Sequence, residues 1–140
     1  MPSIVQPYVF FNGRCDEALK FYEAAIDAKI DYVMRFNESP EPVPAEQVPA
    51  DFDDKIMHCS FKVGDCVIMA SDGCEEGVDF KGFSLSITVE DKATAHRYFN
   101  ALAEGGKVEM PMGKTFWSPC FGMVTDQFGM SWMIGLAGEM

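Results

Sequence analysis

The chain states one pattern twice. Residues 9–30 read VFFNGRCDEALKFYEAAIDAKI, and residues 87–108 read ITVEDKATAHRYFNALAEGGKV. In each, an apolar strand meets a polar turn, a short amphipathic helix carries an aromatic pair and a small-residue end, and a new strand begins. Tyr22 and Phe99 are equivalent, 77 residues apart, and Ala18 and Ala95 share that offset. Two units of this size account for all 140 residues. A unit longer than a solenoid repeat and present only twice implies a pseudo-symmetric domain rather than an array. The expected place for a site is therefore where the halves meet.

Periodicity sets out the elements. A strand over about Gln6–Phe11 is broken by Asn12-Gly13, and a helix over about Cys15–Asp27 places Ala18, Phe21, Tyr22, Ala25 and Ile26 on one face. A strand over Lys29–Phe36 follows. Pro40, Pro42, Pro44 and Pro49 then exclude helix and central strand, which reads as a loop or lid. Strands over Lys55–Val63 and Cys66–Ser71 flank a tight Gly64-Asp65 hairpin. In the second half a strand over Phe83–Val89 leads to Asp91 as N-cap of a helix near 92–104, with Ala95, Tyr98, Phe99, Leu102 and Ala103 on its apolar face. Gly105-Gly106 ends that helix. Strands follow at about Lys107–Met110, within 119–125, and at Met130–Gly135. Each half is β-α-β-β-β, an α+β unit. The chain reads as a single pseudo-symmetric domain over 1–140, with modules of about 1–74 and 80–140.

Composition removes several function classes. Eleven Lys and Arg against 22 Asp and Glu give a net charge of −11, the wrong sign for nucleic acid or an anionic membrane. No apolar run approaches the roughly 18 residues of a membrane span, and MPSIVQPYVFF lacks the basic region and cleavage site of a signal peptide. The cytoplasm is the expected compartment. Acidic residues gather at 38–54 and 72–79, both read as solvated loops without EF-hand spacing. Cys15, Cys59, Cys66, Cys74 and Cys120 are odd in number and form no C-x-x-C pair, which indicates reduced thiols rather than zinc or disulfide chemistry. Cys59 and Cys66, in apolar strands, read as small core hydrophobes.

Strand alternation separates two faces. Phe83, Leu85, Ile87 and Val89 oppose Ser84, Ser86 and Thr88; Met57, Cys59, Phe61 and Val63 oppose Ile56, His58, Ser60 and Lys62; Met130, Trp132 and Ile134 oppose Ser131 and Met133. The apolar sets should pack under the helices and the others should face a pocket. His58, Ser60, Ser84 and Ser86 are its candidate polar groups, and Trp117 its candidate aromatic wall. His58 is also the candidate acid or base, since an imidazole titrates near neutrality. His96 is expected at the helix surface, and the ten methionines as adaptable filler of core or interface.

The duplicated β-α-β-β-β unit resembles the vicinal oxygen chelate superfamily, the glyoxalase/bleomycin-resistance/dioxygenase fold. The segments Pro7-Tyr8-Val9-Phe10-Phe11-Asn12-Gly13, Glu17-Ala18 with Phe21-Tyr22, Gly105-Gly106-Lys107-Val108, Thr115-Phe116-Trp117 and Phe121 through Gly129 with Trp132 are similar to its PhnB-like branch, often labelled 3-demethylubiquinone methyltransferase-like. The resemblance implies two modules curled into a cup, often completed by a homodimer. In the metalloenzymes of the superfamily it also implies a divalent metal held by His, Gln or Glu. Carried over, the ligand positions fall at Ser84, at Met133, at Pro7 or Gln6, and near Met69 or Ala70. Thioether, proline and alanine suit a hard cation poorly. The leading expectation is a metal-free cup that binds an unknown small molecule, cationic or neutral, with no cofactor. The alternative is a lyase, isomerase or dioxygenase with a displaced metal or with His58 as acid/base. The methyltransferase label has no glycine-rich strand-loop-helix behind it.

Overall fold

The fold is given by a computed structural model that describes residues 3–39, 53–73 and 80–137. The proline-rich stretch from Pro40 to Pro49 and Cys74 lie outside the described residues. The chain forms two units, Met1–Val78 and Asp79–Met140.

In the first unit, β1 (Tyr8–Phe10), α1 (Cys15–Ile26), β2 (Lys29–Arg35), β3 (Ile56–Val63) and β4 (Cys66–Ser71) follow in chain order, with a 3-10 turn at Phe36–Glu38. The second unit repeats the order with β5 (Leu85–Val89), α2 (Lys92–Ala103), β6 (Lys107–Gly113), β7 (Phe121–Thr125) and β8 (Ser131–Leu136). Each unit has a four-stranded mixed sheet, ordered β1-β4-β3-β2 and β5-β8-β7-β6. In each, the first strand pairs in parallel with the last and the other pairings are antiparallel. This is the expected α+β, twice-repeated βαβββ architecture.

Local chemistry explains the boundaries. β1 starts at Tyr8 rather than Gln6 because Pro7 has no N–H to give the ladder, though its carbonyl accepts from Met69 N at 2.9 Å. It stops at Phe10 as the chain turns through Asn12 and Gly13, both at positive φ. Asp27 ends α1 in the left-handed conformation. The Asp91 carboxylate accepts from Thr94 N at 2.7 Å and caps α2. β6 runs three residues beyond Met110. It is an edge strand, where Pro111 is tolerated and register shifts absorb it.

Each helix buries one stripe on its sheet. Tyr22 stacks on Phe61 with ring centres 6.0 Å apart and also meets Phe11. Ala95, Phe99 and Leu102 of α2 are buried with Val124, Trp132 and Ile134 of the second sheet. Gly122 makes the α2 packing close: a Cβ there would stand 2.8 Å from the Phe99 ring and 2.6 Å from Met112 Sδ.

Four expectations need correction. Ile56, read with the pocket-facing set, is completely buried, next to a register shift that separates it from His58. Phe83, read as packing under a helix, precedes β5 and is exposed. Cys66 is exposed rather than core, because it is the first residue of β4 after the tight turn. Asp72 opens a stretch read as solvated, yet it is completely buried. Its two oxygens accept from Cys15 N at 2.8 Å and Ile56 N at 2.7 Å, tying the start of α1 to the start of β3. A carboxylate spanning two backbone donors is satisfied in the interior, where an unpaired one would not be.

Candidate functional site

The face of each sheet opposite its helix follows from register. In the first sheet Tyr8, Met69, Ser60 and Tyr32 form one cross-strand row. In the second sheet the corresponding row is Ser86, Met133, Met123 and Met110. The next row of the second sheet is Thr88, Gly135, Phe121 and Gly113. Cross-strand neighbours on one face lie about 5 Å apart, so three thioethers line up side by side with a serine hydroxyl at their end.

A cavity of about 510 Å³ lies against this face of the second sheet. Met110, Met123 and Met133 line it, with Ser86 and Thr88 on one flank and Trp117 and Phe121 on another. Its volume falls in the range of small-molecule sites. Trp117 packs edge-on against Phe121, ring centres 5.2 Å apart, and against Phe116 at 4.7 Å. It remains 38% exposed. A short hydrogen-bonded turn holds it: Thr115 N donates to Ser118 O at 2.9 Å, and Ser118 N donates to Thr115 Oγ1 at 3.0 Å. The buried Ser118 hydroxyl anchors that turn to β8, with Leu136 O at 2.7 Å and Cys120 O at 2.8 Å as its acceptors. Gly135 leaves room for the wall, since a Cβ there would stand 3.1 Å from the Phe121 ring.

No charged side chain lines the cavity among the described residues. The hydroxyls of Ser86 and Thr88 have no hydrogen-bond partner among them either. The site can therefore bury apolar surface and offer one or two hydroxyls to a ligand, but it cannot pair an ion.

The first sheet presents a different group. His58 is half-buried, with its Nδ1 3.3 Å from the Tyr8 hydroxyl. The rings of Tyr8 and Tyr32 lie 5.8 Å and 6.1 Å from it. Tyr8 also packs on Phe10 at 5.1 Å, and all three of these aromatic residues are substantially exposed. This is an aromatic surface with one imidazole at its centre.

The residues expected in a pocket are distributed as follows. Ser86 and Trp117 line the cavity of the second unit. Ser84 is engaged with Ser131, oxygen to oxygen at 2.7 Å, and does not line it. His58 and Ser60 sit on the first sheet, Ser60 in register with Tyr32 and Met69. His96 is exposed, as expected, with Nε2 3.7 Å from Cys120 Sγ. The methionine floor is not legible as a site in the sequence: alternation places Met133 on this face, but only register joins it to Met123 and Met110.

The metal positions implied by the superfamily can be tested on their donors. Ser84 is hydrogen-bonded to Ser131, Met133 offers a thioether, Pro7 has no donor side chain while its alternative Gln6 offers one amide oxygen, and Met69 or Ala70 adds a thioether or a methyl group. That set does not fit a hard divalent cation.

Comparison with known proteins agrees with the fold. Residues 3–135 match the family described as 3-demethylubiquinone-9 3-methyltransferase. Protein YjdN of Escherichia coli K12 is 34% identical over 141 residues, 96% of each chain. Protein PA1353 of Pseudomonas aeruginosa is 43% identical with a TM-score of 0.84, over 99% of this chain and 100% of that one. The PhnB protein of Bacillus cereus is 25% identical with a TM-score of 0.78, over 96% and 100%. The fosfomycin resistance protein FosX of Mesorhizobium loti, at 11% identity and a TM-score of 0.60 over 100% and 94%, shares the glyoxalase/bleomycin-resistance fold alone.

Proposed function

The chain belongs to the 3-demethylubiquinone-9 3-methyltransferase family, in its PhnB-like branch, and from that premise we propose that it binds a small molecule, without a metal, against its second sheet. The observation that carries this reading is the cavity of about 510 Å³ floored by methionines and walled by Trp117. Apolar enclosure with a few polar groups is the usual constitution of a small-molecule site. Ser86 and Thr88 orient the ligand through hydrogen bonds and Trp117 supplies contact area. The protein works in the cytoplasm as a homodimer, consistent with the exposed Val108 and Met110 on edge strand β6.

Methyl transfer, the activity in the family's description, has no such support. The N-terminus of α1 is taken by the Asp72 carboxylate and that of α2 by Asp91. A carboxylate therefore already stands at each helix N-terminus, which disfavours an anionic cofactor group there.

A second reading is favoured by one contact. The Tyr8 hydroxyl against His58 Nδ1 is a pairing suited to proton transfer in a lyase or isomerase. Metal analysis of purified protein, with the same analysis of His58→Ala, distinguishes the readings: a stoichiometric divalent ion lost in the variant would favour the enzyme.

The binding reading is tested by amide chemical-shift mapping against a collection of fragments. Expected perturbations cluster at Ser86, Thr88, Trp117 and Met133. Clustering at His58 and Ser60 instead would move the site to the first unit, and an absence of hits would overturn the reading. Sedimentation tests the homodimer, and a strict monomer would refute it.

A further inference from the structure

The lining of the cavity selects a ligand class. Its floor is a row of three thioethers, Met110, Met123 and Met133, brought together by the register of β6, β7 and β8. Methionine is flexible and polarizable, and its sulfur makes favourable contacts with the edges and faces of aromatic rings. Beside the floor stands the edge-on pair of Trp117 and Phe121, which offers a guest ring further aromatic contact. A saturated guest would receive the same apolar burial but none of these ring-specific contacts. At the β5 end the polar contribution is two hydroxyls, Ser86 and Thr88, without partners among the described residues. No lining side chain among them carries a charge, so an ionised group buried there would lose its hydration without compensation. The net charge of −11 disfavours an anion further.

We propose that the ligand of this cavity is an uncharged, planar aromatic molecule with a hydrogen-bonding substituent that reaches Ser86 or Thr88. The inference rests on the binding function proposed above and adds the chemical class of what is bound.

The test uses the intact protein labelled with 13C at the methionine methyl groups. Three probes of similar size are compared: 2-naphthol, which is neutral and aromatic; its saturated counterpart decahydro-2-naphthol; and 2-naphthoate, which is anionic. With 2-naphthol the methyl signals of Met110, Met123 and Met133 should move upfield under the ring current, while those of Met34, Met57 and Met69 stay in place. Binding should be about three- to tenfold tighter than for the saturated alcohol, and at least about tenfold tighter than for the naphthoate. Met123→Leu keeps the volume and removes the sulfur. It should lower the ratio of naphthol to saturated-alcohol affinity, measured within the same variant, by about twofold. The remaining methyl signals report whether the variant is folded, and Met133→Leu serves if it is not. Equal binding of naphthol and its saturated or anionic counterparts, with the three methyl signals responding, would overturn the ligand class and leave the binding function standing. No response at those methyl groups to any probe would overturn both.

Discussion

The indole nitrogen of Trp132 donates to Asp126 Oδ2 at 2.8 Å, and both residues are buried. The other oxygen of the same carboxylate accepts from Phe128 N at 2.9 Å and Met130 N at 3.0 Å. One side chain thus shapes the turn between β7 and β8 and fixes the largest ring of the second core. Asp126→Ala removes three acceptor contacts and strands the indole N–H. We expect a loss of about 3 kcal/mol in stability, read from urea unfolding followed by fluorescence. A loss below about 0.5 kcal/mol would show that the turn forms without the carboxylate.

Gly122 is set by space rather than by backbone conformation. With a Cβ 2.8 Å from the Phe99 ring and 2.6 Å from Met112 Sδ, alanine would force the α2 packing apart. Gly122→Ala should destabilise by about 1–3 kcal/mol. Phe99→Leu in the same background should restore part of that loss, a coupling that a double-mutant cycle measures.

Arg35 reaches Asp16 with two hydrogen bonds, at 2.7 Å and 2.9 Å. These bonds hold the Asp16 carboxyl below its ordinary value of 3.8. A carboxyl lowered on folding contributes stability above its unfolded value and loses it as pH falls through the folded one. Both side chains are more than a third exposed, so water screens the pair and the contribution is about 0.5 kcal/mol. Asp16→Asn should cost that much near neutral pH, with the difference shrinking below about pH 4. Unfolding titrations of both proteins across this range check it, and a difference that grows on acidification would contradict the assignment.

Cys15 and Cys59 are buried with their sulfurs 3.7 Å apart. The hydrogen bond to Cys59 and burial push the Cys15 thiol up, well away from the reactive thiolate. Alkylation of the folded protein followed by peptide mapping should mark exposed Cys66 and spare both core thiols. Labelling of Cys15 as fast as Cys66 would mean that α1 opens readily.

Much of this architecture is legible in the chain. α1 begins at Cys15 as its periodicity requires, β4 spans Cys66–Ser71, and Asp91 caps α2. Alternation also sorts faces correctly where one set is strongly apolar, as with Trp132 and Ile134 against Ser131 and Met133. Alternation does not encode which residues stand opposite one another. Met110 reaches Met123 across a register shift between β6 and β7, and nothing local marks that pairing. Asp72 was hidden for another reason: an acidic residue beside other acidic residues reads as solvated, and its two backbone partners, Cys15 and Ile56, lie far away in the chain. Of the pocket candidates, Ser86 and Trp117 share a cavity, while Ser84 turns to Ser131, a pairing set by β5 meeting the start of β8.

If the ligand binds against the second sheet, Ser86→Trp should block it. Ser86 is exposed on edge strand β5 and lines the cavity, so a large ring there fills the site with little cost to folding. Calorimetric titration of 2-naphthol and of decahydro-2-naphthol into the wild-type protein should give measurable binding. The same titrations into folded Ser86→Trp should give none. Undiminished binding of either probe to the filled variant would mean that the ligand site lies elsewhere.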